Sequence, residues 1–210
     1  PSGSWEVGTL AIGASATLQI SVKVNSSEML SQIINFGEAA DFNVFVFKDI
    51  NQPSSDTEGK MAAGQDIFLA NYSVGDKLPN SNGTEDVLIA GRNLIFLTGA
   101  VFGGNAVYGD QTNLPVDYVS VEGEVRKDTV INFLAAKSYL IDLSSTIANY
   151  QVNGKDTLIY SSLYLNGMHP VVNIFKVDKA TFNNSHEIFV NVPFGSTALI
   201  NIEGDSLDFD

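Results

Sequence analysis

The sequence predicts a mainly β chain. Short strands should stack as a β-helix or solenoid, with one long α-helix flanking them. Three observations predict this. The phrase AGQDIFLANYSVG (Ala63 to Gly75) returns as AGRNLIFLTGAVFG (Ala90 to Gly103). Short apolar runs alternate with Gly and Asn corners along most of the chain, and a single long segment, Asp128 to Tyr150, carries helical apolar spacing. In the repeated phrase, Asp66 or Asn93 follows the first Gly by two residues, an apolar run follows, and the phrase closes on Val74-Gly75 or Val101-Phe102-Gly103. A shorter third echo runs from Gly104 to Gly109. One such coil cannot bury its own inner face, so the copies should stack, with Ile67 and Leu94 in equivalent positions. The competing reading is two ordinary hairpins of a β-sandwich.

Taken in order, Trp5-Glu6-Val7 and Thr17 to Val24 alternate as half-buried strands, joined by a Gly/Ala/Ser-rich connection. Asn25-Ser26-Ser27 offers caps, and Glu28 to Ala40 has helical spacing at Met29, Ile33 and Phe36. Asp41 to Phe47 alternates Phe and Val onto opposite faces of a strand, and Asp49 to Asp56 reads as a Pro/Ser/Asn loop. Between the two repeat copies lies a polar excursion, Asp76 to Asp86, with turn signals at Pro79 and Asn82-Gly83. Tyr118 to Glu122 is a further strand.

Asp128-Thr129 should then cap the helix. Phe133, Ala136, Leu140, Leu143 and Ile147 form its apolar stripe, widened by Ile131, Leu134 and Ile141, while Lys137 faces away. A helix of about 20 residues is about 30 Å long, enough to lie along several coils of about 4.8 Å each. Thr157 to Leu165, Val171 to Val177, Glu187 to Val192 and Thr197 to Ile202 read as strands, separated by Asn166-Gly167, Asn183-Asn184 and Gly195-Ser196.

Composition narrows the function classes. Eleven Lys plus Arg stand against 24 Asp plus Glu, a formal charge of −13. That argues against nucleic acid and anionic membranes, which need clustered cations. No apolar run approaches a membrane span, so membrane insertion is not expected. There is no Cys, which leaves the redox compartment open. The chain opens at Pro1 with neither an initiator Met nor a leader, and so reads as part of something longer.

Two resemblances follow from particular residues. Trp5, Gly8 and Leu10, ahead of an alternating strand, resemble the end of the immunoglobulin-like repeats of bacterial surface proteins. Residues 1–25 therefore read as the tail of such a repeat or as a donated hairpin. FNVFVFKD (Phe42 to Asp49), DTEGKMAAG (Asp56 to Gly64), ANYSVG (Ala70 to Gly75), NAVYG (Asn105 to Gly109), INFLAAKSYLIDLS (Ile131 to Ser144), VNIFKVD (Val172 to Asp178) and NVPFGSTALINIEG (Asn191 to Gly204) occur in that order. Together they resemble the choice-of-anchor A domain of bacterial surface proteins. The resemblance covers about Phe36 to Gly204, so residues 26–210 read as one adhesive domain. It implies an extracellular, non-enzymatic β-helix with a flanking helix, as in ice-binding-like adhesion domains. It also implies a continuation past the strand at Ala198 to Ile202, so the C-terminal edge is expected to be incomplete. It carries no catalytic or ligand residues.

The chemistry scan is sparse. Neither His169, in a Gly-Met-His-Pro turn, nor His186-Glu187, which lacks the second His of a zinc-protease motif, makes a site alone. There is no Gly-x-Ser-x-Gly. Asn25, Asn71, Asn82 and Asn183 stand in Asn-x-Ser/Thr sequons, read as exposed turns. Asp49, Asn51, Asp56 and Glu58 place several oxygen ligands close together, which makes calcium the one cofactor the pattern admits, although the spacing is not that of an EF-hand. The competing reading is ordinary turn residues.

The leading expectation is a surface adhesion module that binds a glycan or protein surface through exposed loops, with Lys77, Asn80, Ser81, Asn82 and Thr84 as the binding candidates. The alternative is a subunit of an extracellular fibre, self-associating through strand edges. An enzyme acting on polysaccharide would need converging acids on one face.

Overall fold

The computed structural model describes residues 34–204. The strands expected over Ser4 to Val24, and the helical pattern up to residue 33, lie outside the described residues. The chain divides into two compact units, Phe36–Leu140 and one that contains residues 141–204.

The first unit is a parallel β-helix. After a short 3-10 helix, Gly37–Asp41, come β1 (Val44–Val46), β2 (Ile50–Gln52), β3 (Ser55–Thr57), β4 (Met61–Ala63), β5 (Ile67–Leu69), β6 (Tyr72–Val74), β7 (Asp86–Ala90), β8 (Leu94–Phe96), β9 (Gly99–Val101), β10 (Asn105–Tyr108), β11 (Val119–Val121) and β12 (Val125–Lys127). They form three parallel sheets, in the orders β1-β4-β7-β10-β12, β2-β5-β8 and β3-β6-β9-β11. Each of the first three turns of the chain therefore adds one strand to each side. Equivalent residues of successive coils lie 17, 27, 18 and 19 apart in sequence. The long step contains the excursion Asp76 to Asp86. Ile67 pairs with Leu94 in register, as the repeat requires. The third echo is the first side of the next coil, since Ala106 to Tyr108 stack on Leu88 to Ala90.

The repeated Ala-Gly has a steric cause. A Cβ on Gly91 would lie 2.4 Å from the Gly64 carbonyl oxygen, and one on Gly109 would lie 2.1 Å from that of Gly91. Only a bare backbone passes this corner at strand spacing. Beside it, Asp66 N donates to Asp49 Oδ1 at 2.9 Å and Asn93 N donates to Asp66 Oδ1 at 3.1 Å. The Asp/Asn of the repeat is thus a corner ladder, satisfying backbone donors that leave the sheet there.

Strand alternation fills the tube. Ile50, Met61, Ile67, Leu69, Tyr72, Val74, Leu88, Leu94, Phe96 and Val101 are buried in one cluster. Inside it the Thr57 hydroxyl meets the Tyr72 hydroxyl at 2.7 Å, and burial pushes the Tyr72 phenol up. The outer face of the five-stranded sheet is also covered. Ala62, Ile89, Val107 and Ile131 pack there with Phe42, Phe45 and Phe133, and Phe45 stacks on Phe133 at 5.3 Å. This is why β4 and β7 read as apolar runs rather than alternating strands. Where the fourth coil has no strand beside β8, the Asn113 amide replaces one. It accepts from Phe96 N at 2.9 Å and donates to Phe96 O at 2.8 Å.

Three expectations need correcting here. Asp49 to Asp56 is not a plain loop, because it holds β2 and β3. Each is three residues long, and the outward side chains, Asn51 and Asp56, are polar, so the stretch reads as loop. The helix, α1, runs over Phe133–Ala148 and is capped by Asn132, whose side chain accepts from Ala135 N at 3.0 Å. Asp128 is instead paired with Arg126. Ile131 must reach the outer sheet face before the chain can turn, and this delays the helix. The stripe from Phe133 through Ala136, Leu140 and Leu143 to Ile147 is buried or half-buried, and Lys137 is exposed. Leu134 and Ile141 are exposed, at 78% and 48%, so they do not widen it.

The second unit also stacks parallel strands, with longer sides. Its elements are β13 (Lys155–Ile159), β14 (Ser162–Asn166), β15 (Val172–Asp178), the short helix α2 (Lys179–Asn183), β16 (Glu187–Asn191) and β17 (Thr197–Glu203). The sheets are β13-β14-β16 and β15-β17. Both parallel pairs join residues 25 apart. Leu163, Leu165, Phe175, Val177, Phe182, Ala198, Ile200 and Ile202 form the core. The expected strand Thr157 to Leu165 is a hairpin. Tyr160 and Ser161, at φ 45° and 66°, make its turn. Neither is a usual turn residue, so the apolar alternation reads straight through. The region before Asn183-Asn184 is α2, capped by Asp178, whose carboxylate accepts from Thr181 N at 2.9 Å. The Thr181 hydroxyl, and after it that backbone bond, hold the carboxyl below the usual range.

Candidate functional site

The excursion between β6 and β7 starts at Gly75, whose φ of +79° favours glycine. It is tied down rather than loose. Leu78 packs against the tube core. Lys77 N donates to Glu58 O at 3.1 Å, and Ser81 N donates to Gly103 O at 3.0 Å. The main clamp is Asn105, buried at 4% exposure. Its side-chain amide donates to Gly83 O at 2.9 Å and to Asp86 Oδ1 at 3.0 Å, while its oxygen accepts from Glu124 N at 2.8 Å. One buried amide thus joins the loop to two coils.

The candidate binding residues divide accordingly. Ser81 is internal to the loop: its hydroxyl accepts from Glu85 N, and its carbonyl accepts from the Thr84 hydroxyl. The Asn80 side chain accepts from Asn82 N at 2.7 Å. Lys77, Asn80, Asn82 and Thr84 are exposed, and the Lys77 ammonium lies 3.4 Å from the Asp76 carboxylate. Asn82 and Gly83 both have positive φ, 55° and 79°, so this pair forms the loop's tip turn.

The end of the loop walls an open cleft of about 400 Å³ within the first unit. It is lined by the polar residues Glu38, Asp41, Lys60, Thr84, Glu85 and Asp86 and by the apolar residues Phe42, Ile89, Val130 and Ile131. Lys60 is paired with Glu85 at 2.7 Å, and Asp86 is paired with Arg126 at 2.7 Å. Sequence reasoning missed this cleft. Its walls come from four separate stretches, and no local motif marks them.

The four oxygen-bearing candidates are spread from the residue before β2 to the residue after β3. Asp49 belongs to the corner ladder. Asn51 and Asp56 point outward from the middles of β2 and β3, beside Phe68 and Ser73 respectively. Glu58 is exposed beyond β3. Among the described residues, no three Asp, Glu, His or Cys side chains form a group that could hold a metal ion. The Asp49–Asp66 corner has its counter-charge in Arg92, whose guanidinium grips both Asp66 oxygens and also feels Asp49 and Asp110. Arg92 holds the Asp66 carboxyl below the usual carboxylate range.

The histidines also lie apart. His169 Nδ1 accepts from Val171 N and Val172 N at 3.3 and 3.2 Å. This turn is clamped by buried Asn173, which bonds both backbone groups of His169 and the Ser196 hydroxyl. His186 N donates to Ser161 O at 2.8 Å. The sequon asparagine Asn71 is exposed at φ 47°.

No helix among the described residues is long and apolar enough to cross a membrane. A family model described as "Putative Ice-binding-like adhesive domain" matches residues 35–210. No curated protein and no solved structure matches the chain.

Proposed function

We propose, because this chain belongs to the ice-binding-like adhesive domain family, that it is a non-enzymatic adhesion module of an extracellular bacterial surface protein and binds a glycan or protein surface. The resemblance to choice-of-anchor A domains supports the surface setting. One observation carries the binding reading. The excursion Asp76 to Asp86 is fastened to two coils through buried Asn105, yet it presents Lys77, Asn80, Asn82 and Thr84 to solvent. A loop prepaid in this way loses little entropy when it engages a ligand.

The test is attachment of the full chain to arrayed glycans and matrix proteins, compared with a Lys77→Ala/Asn82→Gly variant. Both changes remove exposed side chains, and glycine suits the positive φ at position 82, so the fold and its melting temperature should hold. Attachment should fall at least tenfold. Undiminished attachment by the folded variant would move the site away from this loop. Turnover of an arrayed glycan would remove the non-enzymatic reading.

A further inference from the structure

The second unit presents a strand edge with which no other described strand pairs. β16 pairs with β14 and with no other described strand. Gly167 N donates to Asn191 O at 2.8 Å. The odd-numbered residues of β16 therefore turn their backbone groups toward β14. By the two-residue period of a strand, Ile188 and Val190 point theirs to the free side.

Such edges are normally blunted by charge, Pro, a bulge or a cover. Other edges of this protein follow that rule. β12, at the end of the five-stranded sheet, carries Arg126 and Lys127. The outer edge of β15 is covered by Asn153-Gly154: both of their N–H groups donate to Ile174 O, and the Asn153 side chain accepts from Ile174 N at 2.6 Å. Among the described residues β16, with the sequence EIFVN, has no Pro, bulge or paired cover on that side; its one charge is Glu187 at its start, and it runs in unbroken register. Three side-chain rows reach it and stop. Tyr164 stacks on Phe189 at 4.9 Å and 14°. Asn191 Nδ2 donates to Asn166 Oδ1 at 3.0 Å, and the Ser162 hydroxyl donates to Glu187 Oε2 at 3.1 Å. Phe189 is 42% exposed.

We propose that β16 is a self-association edge, at which a second copy of this chain adds its own β16 antiparallel about a two-fold axis at Phe189. In that register Phe189 faces Phe189, Ile188 faces Val190 and Glu187 faces Asn191. Ile188 and Val190 exchange N–H···O=C bonds as hydrogen-bonded pairs. The Phe189 pair is then of the non-hydrogen-bonded kind, with Cα atoms about 4.5 Å apart and side chains close, so the aromatic row continues across the axis. Charge selects the direction. Parallel in-register pairing would set Glu187 against Glu187, whereas the antiparallel register gives each Glu187 an amide. The formal charge of −13 opposes the approach of two copies, so association strengthens as salt screens it.

The full chain has no Cys, which makes Phe189→Cys a direct probe. Mild oxidation should give a disulfide-linked dimer, while Ser162→Cys, one strand further in, should stay monomeric. In sedimentation at raised salt, Asn191→Lys should tighten association about threefold or more by facing Glu187, and Asn191→Glu should weaken it by a similar factor, as expected for cross-strand charge pairs. Val190→Pro removes an outward N–H and should abolish association. Wild-type chain that stays monomeric at every concentration and salt level overturns the proposal. So does association that survives Val190→Pro, or a folded Phe189→Cys chain that does not cross-link. Association with equal response to Lys and Glu at 191 overturns the register.

Discussion

The two units stack parallel strands in different ways. In Phe36–Leu140, sides of mostly three residues meet at three corners per coil, and a coil takes 17 to 20 residues where no excursion intervenes. In the second unit the paired strands are five or seven residues long and the repeat is 25. Short sides put most residues at or next to corners, so register there depends on corner chemistry: bare glycines at 64, 91 and 109, and the Asp49–Asp66–Asn93 ladder. Long sides put the specificity inside the strands, where β15 and β17 keep seven rungs and Asn173 clamps only the approach. The same parallel stacking is thus vulnerable at different places.

The largest expected effect tests what the units share. Phe96 and Phe175 are both fully buried, one in each core, and replacing either by Ala should cost about 3–5 kcal/mol in chemical denaturation. A much smaller loss at one site would mean that its core collapses around the cavity.

The corner contrast predicts the next effect. Gly91→Ala sets a Cβ against a backbone oxygen, whereas Gly154→Ala sets one against the Phe175 ring, with closest approaches of 2.4 and 2.2 Å. A ring can tilt, but a backbone oxygen moves only if the coils separate. Both are overpacking changes of about 1–3 kcal/mol, and Gly91→Ala should be the costlier although its contact is the longer. Equal thermal shifts would remove the special status of the corners.

The smallest effect is electrostatic. Asp66 is held below the ordinary value near 3.8 by Arg92, and Asp178 by Thr181. A depressed carboxyl contributes stability that is fully present above the ordinary value and is lost as pH falls through it toward the lower folded value. Asp66→Asn should therefore flatten the loss of stability below about pH 4. The change should be only about 0.2–1 kcal/mol, because the pair is partly exposed and screened. An unchanged acid limb of the stability profile would argue that the Arg92 pair contributes nothing.

The same contrast explains what could be read in advance. The repeat at Ala63 and Ala90 was legible because corner chemistry is local: glycine, then Asp or Asn, then an inward apolar alternation. The second unit has no such phrase. Its Tyr160-Ser161 turn uses residues that rarely mark one, so two strands read as one. The helix stripe was legible at three- and four-residue steps, but Leu134 and Ile141 were not, since apolarity alone cannot tell a covered face from a bare one. Leu140 is only half-buried, so truncating it removes less contact than at a fully enclosed position such as Ile147. Of the candidate loop, the exposed polar residues Lys77 and Asn82 were visible in sequence, while the inward role of Ser81 was not.

By itself, the sequence determined the stacking of the first unit, its register at Ile67 and Leu94, the helix and its buried stripe. Each follows from the period of side chains along one element or from the steric demand of one corner. Only the tertiary structure decided which outward residues are covered, which polar side chains are spent on the fold, and where distant stretches meet. Asn105 clamps residues about 20 apart in sequence, and the cleft gathers walls from four segments. These are contacts between coils, and their partners are fixed by the pitch of the winding rather than by anything adjacent along the chain.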